Sequence, residues 1–362
     1  MEILDSVVIG AGQAGLAASY FLRERRVEHV VLDANPGPGG AWQHRWSSLS
    51  MADVHGVADL PSSAAPDSSM LAANVVVPDY FGGYERDQHL PVVRPVRVDR
   101  VESEDDLLAV HTVRGTWHTR TLVNATGTWT RPFVPYYPGI ADFAGEQVHT
   151  AHYPGAEHFR GKRVLVVGGG ASAVQFLGEL APLADTIWVT RRPPVWRDDD
   201  FDAAAGLAAV TLVEERVRRG LPPASVVSVT GLALRPQEQE ASRLGAYDRL
   251  PMFERLEAGG ARWADGRFER VDTILWATGF RPAVDHLAPL GLRTPEGGIA
   301  LVPVRGNVQG ATTSVVDPRV QLVGYGPSAS TIGASGAGRQ AALAVSRHLA
   351  TVGTDEPGEL GA

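Results

Sequence analysis

The chain carries two glycine-rich turns of one kind, Gly10-Ala11-Gly12-Gln13-Ala14-Gly15 and Gly168-Gly169-Gly170-Ala171-Ser172-Ala173. Each lies between an apolar run and a helix-like run, the context a dinucleotide pyrophosphate requires. No other feature narrows the fold as far. Ile3–Ile9 reads as a buried parallel strand, and residues 14–25, with Leu16, Tyr20 and Phe21 on one side, as the helix that follows. Gly10 permits the tight turn, Gly12 lets the backbone approach a phosphate, and Gly15 lets helix and strand pack closely. The helix start at Gln13 and Ala14 offers unpaired N–H groups to the anion. A second strand, residues 30–32, ends at Asp33, 18 residues beyond Gly15. An acid there accepts hydrogen bonds from ribose hydroxyls and selects a ribose without a 2′-phosphate. FAD or NAD(H) fits this turn; NADP(H) does not.

The second turn repeats the arrangement with a changed ending. Strand Arg163–Val167 leads in, and a helix beginning at Ala171 and Ser172, with Ala173, Leu177 and Leu180 on one face, leads away. The partner strand, residues 186–190, ends in Arg191-Arg192 with no acid where Asp33 stood. Guanidinium groups there pair bidentately with a 2′-phosphate, so Gly168, Gly170 and the two arginines read as an NADPH site. NADH stays open as a second donor.

A further regularity joins the halves. A hairpin turning at Arg114-Gly115 leads to Ala125-Thr126-Gly127, and one turning at Asp265-Gly266 leads to Ala277-Thr278-Gly279. From Gly10 to Thr126 is 116 residues and from Gly168 to Thr278 is 110. This duplication predicts an α/β fold with two Rossmann-like dinucleotide-binding domains, each a parallel sheet plus a small antiparallel hairpin layer. The expected boundaries are 1–150 and 273–362 for a discontinuous FAD domain and 151–272 for an inserted NADPH domain. Residues 58–74 read as a mobile loop and 353–362 as a disordered tail.

Three more segments bear on identity: Phe143-Ala144-Gly145-Glu146-Gln147-Val148-His149-Thr150-Ala151-His152-Tyr153, Gly39-Gly40-Ala41-Trp42, and Gly324-Tyr325-Gly326-Pro327. With the two turns, they make nearly the whole chain resemble the flavin-containing monooxygenases and their two-dinucleotide-domain flavoprotein relatives. The first is similar to that family's FxGxxxHxxxY signature and the second to its GGxW. The third stands where such enzymes set a helix N-terminus against the flavin ring. The resemblance implies that Gly40, Ala41, Trp42, Thr126, Gly127, Tyr325 and Gly326 contact FAD, and that His149, Tyr153, Thr278 and Gly279 serve NADPH. It implies hydride transfer from NADPH to the flavin, a C4a-hydroperoxyflavin, and oxygen transfer to a thioether, amine or ketone. No catalytic side chain is assigned. Ala52 falls where many members carry an asparagine near the flavin, which predicts a short-lived hydroperoxide. An NADPH-dependent reductase of a low-molecular-weight disulfide or quinone, or a flavin-binding redox sensor without catalysis, stays open beside this reading.

Composition closes other routes. The 362 residues exceed a single core, and 44% hydrophobic and 20% charged residues with 40 glycines suit an α/β enzyme. A net charge of −8 without a basic stripe argues against nucleic acid. No apolar run approaches the length of a membrane span. The N-terminus carries Glu2 and Asp5 and passes straight into the first strand, so no signal peptide is expected and the predicted location is cytoplasmic. Zero cysteines excludes an internal redox dithiol. His149 and His152 lack further ligands at metal spacing, and the acidic run 197–202 reads as a solvated loop, so no metal site is predicted. The expected partners are a small-molecule substrate and O₂, with a homodimer left open.

Overall fold

In this computed structural model the described residues are 3–54, 57–67, 69–197, 203–223, 231–232, 234–235, 238–304, 311–329 and 331–352. The chain divides into two compact units: Met1–Gly127 with Leu207–Val226 and Pro282–Ala362, and Thr128–Gly206 with Val227–Arg281.

The first unit grows from β1 (Ile3–Ile9), α1 (Gln13–Glu24) and β2 (His29–Leu32). Strands β1 and β2 pair in parallel, Ile9 beside Leu32. Val7, Val8 and Val31 are fully buried, as the near-continuous apolar runs of a strand covered on both faces require. After α2 (Ala73–Asp87) come β3 (Val92–Val93), β4 (Val98–Glu104), β5 (Leu107–Thr112) and β6 (Gly115–Asn124). The sheet order is β3-β2-β1-β6-β5-β4. Strand β6 has two tasks: it pairs antiparallel with β5 from Gly115 to Thr119, and parallel with β1 as far as Asn124.

The second unit holds β7 (Glu146–His149), β8 (Arg163–Val167), α3 (Ala171–Leu180) and β9 (Asp185–Thr190). Helix α4 (Ala203–Arg218) follows, most of it in the first unit, and the second unit resumes with β10 (Leu250–Pro251), a separate antiparallel sheet of β11 (Arg255–Glu257), β12 (Gly260–Arg262) and β13 (Phe268–Arg270), and β14 (Thr273–Trp276). Its five-stranded sheet is parallel throughout, in the order β10-β9-β8-β14-β7. The chain then returns to the first unit, where β15 (Val320–Leu322) pairs with β6 and α5 (Thr331–Val352) packs on α1. At Gly338 a Cβ would lie 2.6 Å from the Ala18 nitrogen, so only a hydrogen there lets the two backbones meet.

Four expectations need correction. The unit boundaries fall at 127/128 and 281/282, because β7 pairs with β14 (His149 beside Trp276) and both belong to the second sheet. Residues 207–226 join the first unit, where Val217 is buried in the core with Tyr325 and Leu322. The second hairpin does not run on into its Ala-Thr-Gly as the first does; it ends at Arg270 and β14 starts afresh at Thr273. Residues 58–74 are tied down within the described part: Leu60 N–H donates to Tyr80 Oη at 3.0 Å, Tyr84 Oη–H to Pro61 O at 3.0 Å, and Ser335 Oγ–H to Asp59 O at 2.7 Å. The tail 353–362 and acidic residues 198–200 and 202 lie outside the described residues.

Candidate functional site

In the first unit the chain leaves β1 at Gly10, whose φ of +100° disfavours an L side chain and whose Cβ would stand 2.6 Å from Ala125 O. A Cβ on Gly15 would overlap the Gly10 carbonyl. Gly12 is different: nothing lies within 4 Å of its Cβ position. It is the N-cap of α1, in extended conformation, with no side-chain cap and no acid in the first turn. The space beside Gly12 at the start of α1 is therefore left open by the protein, which fits a phosphate approaching the helix N-terminus. Ala14 is buried behind the turn, and Gln13 Nε2–H donates to Ala58 O at 3.0 Å. Gly40, with φ +51°, brings the 3₁₀ turn Gly40–His44 against the glycine turn; its Cβ would be 2.8 Å from Gly12 Cα.

Asp33 does more than the sequence reading gave it. Its Oδ2 accepts from Ala11 N–H at 2.8 Å, and Oδ1 accepts from Asn35 N–H at 2.7 Å and Asn35 Nδ2–H at 2.9 Å. Of about four lone-pair sites on a carboxylate, three hold the loop in shape and one is left for a ribose hydroxyl. Arg94 Nη2 stands 3.9 Å away, and the Arg94 guanidinium pairs bidentately with Glu85, Nη1 donating to Oε2 at 2.7 Å and Nη2 to Oε1 at 2.6 Å. Neither Arg94 nor Glu85 has a local signal linking it to Asp33; only the parallel pairing of β2 with β3 brings Arg94 there.

Ala41 and Trp42 are half-buried, and the Arg45 guanidinium lies 5.6 Å from the Trp42 ring centre, burial lowering its pKa to about 10. Ala52 is exposed, and its N–H donates to Ser69 O at 2.8 Å. Tyr325 departs from expectation: its ring is buried in the core and its hydroxyl accepts from Ile299 N–H at 2.9 Å. Its side chain is thus an internal strut. Gly326 is required by α4, since a Cβ there would stand 2.7 Å from Val217 Cγ2.

The paired Ala-Thr-Gly segments also serve the chain itself. Thr126 Oγ1–H donates to Ala283 O at 2.6 Å, and Gly127 O accepts from Ala283 N–H at 2.9 Å. Thr278 Oγ1–H donates to Phe133 O, and Gly279 O accepts from Phe133 N–H at 3.0 Å. Each threonine and glycine therefore grips the segment that enters its unit, a role the repeat alone did not disclose. Behind Thr126, His286 Nε2–H donates to Asn124 Oδ1 at 2.7 Å, and Asn124 Nδ2–H to Thr126 Oγ1 at 3.1 Å. Burial lowers the His286 pKa to about 4.

The second turn reproduces the first. Gly168 has φ +146°, and a Cβ on it would overlap Ala277 O, the counterpart of Ala125 O. Gly170 has nothing within 4 Å of its Cβ position and is the uncapped N-cap of α3, ahead of Ala171 and Ser172. Register aligns the partner strands: Val167 lies beside Val189 as Ile9 lies beside Leu32. Thr190 therefore occupies the place of Asp33, its hydroxyl donating to Arg192 O at 2.6 Å, and Arg191 and Arg192 follow it exposed. That donor set fits a 2′-phosphate.

His149 and Tyr153 are built into this unit. His149 Nδ1 accepts from Ala151 N–H at 3.0 Å, so Nε2 carries the proton and donates to Gly279 O at 3.0 Å; burial lowers its pKa. Both nitrogens are used, and the ring positions Gly279. Tyr153 is buried against Phe159 and Phe176 and donates to Glu179 Oε2 at 3.1 Å. Among the described residues no cluster of three or more metal-ligating side chains forms, and no helix is long and apolar enough to cross a membrane.

Comparison with known proteins agrees with this plan. The model of the pyridine nucleotide-disulphide oxidoreductase family matches residues 7–222. The fold is similar to that of a flavin-containing monooxygenase from Stenotrophomonas maltophilia, at 36% identity and a TM-score of 0.82, covering 96% of this chain and 100% of that one. Among curated proteins, the uncharacterized oxidoreductase CzcO of Bacillus velezensis is 26% identical over 305 residues, 82% of this chain and 86% of that protein. The indole-3-pyruvate monooxygenase YUCCA1 of Oryza sativa subsp. japonica is 28% identical, covering 82% of each chain.

Proposed function

The chain belongs to the flavin-containing monooxygenase family and is a flavin-dependent oxidoreductase, and on that premise we propose a cytoplasmic enzyme that uses NADPH and FAD to pass one oxygen atom of O₂ to a thioether or amine. A ketone is a further acceptor of the same kind. The observation that carries the assignment is the pair of equivalent turns with unlike partners: Asp33 after the first, Thr190-Arg191-Arg192 after the second. FAD belongs at the first and NADPH at the second. FAD, when bound, supplies the hydride acceptor and the O₂ chemistry.

The chain's own part is to bind and orient. The N–H groups after Gly12 hold one pyrophosphate and those after Gly170 the other; Asp33 fixes a ribose; Arg191 and Arg192 neutralise a 2′-phosphate. Trp42, half-buried close to the first turn, keeps water from the cofactor. No side chain is needed as acid or base in this account.

The test is to supply NADPH, an aryl methyl sulfide and ¹⁸O₂ to the FAD-loaded protein and weigh the product. One labelled oxygen in the sulfoxide for each NADPH consumed is the expected result. Oxidation of NADPH with matching release of H₂O₂ and no labelled product overturns oxygen transfer. Turnover without oxygen on a quinone or small disulfide would make the enzyme a reductase.

A further inference from the structure

Strand β10 stands at the edge of the second unit's sheet and runs parallel to β9, with Leu250 beside Val189 and Pro251 beside Thr190. Arg249, the residue before it, therefore enters the sheet level with Trp188. Its guanidinium does not stay there. Nη1–H donates to Thr190 O at 3.5 Å, so the side chain runs forward along the strand to the carboxyl end of β9. That end is where an open parallel sheet binds its ligands. Register makes Thr190 the counterpart of Asp33, and the carbonyl that Arg249 reaches is the one bonded to the Arg191 nitrogen. Thr190 and Arg249 are 59 residues apart, yet the pairing of β9 with β10 brings a third guanidinium to the point from which Arg191 and Arg192 extend.

Among the described residues no carboxylate pairs with Arg191, Arg192 or Arg249. Arg163 and Arg262 of the same unit are held otherwise, the first by Asp185 and Glu269 and the second by Glu257. Like charges gathered at one strand end repel one another unless an anion lies among them. The Thr190 carbonyl takes one of the five N–H donors of Arg249, which leaves the rest of the fork for a ligand. Arg249 also differs from the other two arginines: it is half-buried and tied to the sheet, whereas they are exposed beyond the strand. A guanidinium held in place beforehand gives up less side-chain freedom when its ligand arrives. We propose that Arg249 is a specificity-determining residue, the preplaced contact to the 2′-phosphate of NADPH, with Arg191 and Arg192 meeting the same group. This rests on the NADPH reading of the second turn and adds to it a residue that no local motif marks.

The test is calorimetric titration of the FAD-loaded full chain with adenosine 2′,5′-bisphosphate and with adenosine 5′-monophosphate. Both probes carry a 5′-phosphate, so the ratio of their affinities isolates the 2′-phosphate. Wild type is expected to prefer the bisphosphate at least about tenfold. R249Q should lose about tenfold on the bisphosphate and leave the monophosphate unchanged, the loss of a charged hydrogen bond. R249K, which keeps the charge without the fork, should fall between them, and it carries the same comparison if R249Q melts too low to titrate. Equal losses on both probes, the outcome of a merely structural role in joining β10 to β9, or no loss on either, overturns the proposal. The double variant Arg191→Gln/Arg192→Gln separates this inference from the reading beneath it. A preference lost there but kept in R249Q leaves NADPH at the second turn and removes Arg249 from its site; no preference in wild type overturns both.

Discussion

At Asp33 three N–H donors meet one carboxylate, so a single atom exchange is costly. Asp33→Asn turns one acceptor into a donor and sets it against Ala11 N–H or Asn35. The expected effect is roughly 1–3 kcal/mol on the loop and its ligand, about ten- to a hundredfold in FAD affinity. The ratio of flavin to protein absorbance after gel filtration checks it. Replacing Arg191 and Arg192 by Gln should raise KM for NADPH about tenfold or more while leaving that for NADH nearly unchanged; equal responses would mean that neither arginine meets a 2′-phosphate. His286 gives a pH dependence. Its folded pKa, about 4, lies below the ordinary 6.5, so the unfolded chain takes up the proton first as pH falls. Its contribution is complete above pH about 6.5 and is lost as pH falls toward 4, a change of up to roughly 3 kcal/mol. Melting temperatures at pH 7 and pH 5 should therefore converge in His286→Gln relative to wild type, although the variant melts lower at pH 7.

Between elements, α5 meets α1 backbone to backbone. A Cβ on Gly338 would lie 2.6 Å from Ala18 N and 2.8 Å from Ala17 C, both backbone atoms that cannot swing aside. Gly338→Val should cost about 1–3 kcal/mol or more, seen as a lower urea midpoint with an unchanged slope. Contacts of this kind mark the limit of what the sequence displays. Strands β1 and β8 and the helices after them can be read because apolar period and turn glycine are local signals. Helix α2 cannot, since Pro78 and two glycines interrupt its pattern. The His286–Asn124 bond joins residues 162 apart, and the burial of Val217 under Tyr325 follows from a third piece of chain entering the first unit. His149 and Tyr153 stand where a motif points, but only coordinates reveal that their polar atoms are spent on Gly279, Ala151 and Glu179.

For the molecule as a whole, the two equivalent turns allow each cofactor to be removed without the other. The Cβ positions of Gly12 and Gly170 meet no protein atom within 4 Å, and Gly12 has a backbone conformation open to any residue. Gly12→Val should fill the phosphate's place and abolish flavin retention while leaving NADPH affinity intact; Gly170→Val should do the reverse. Thermal shift with each ligand reads both, because a ligand stabilises only the state that binds it. The three-piece make-up of the first unit has a separate consequence, for the chain as it is made. Strand β15 closes on β6 at Val320 beside Leu122, and α5 covers α1 later still. Val320 follows Asn124 by 196 residues, so at roughly 5–20 residues per second the ribosome needs roughly 10–40 s to supply it. Through that interval the nascent protein holds an open strand edge and an uncovered apolar helix face, which makes this unit a natural client for chaperones.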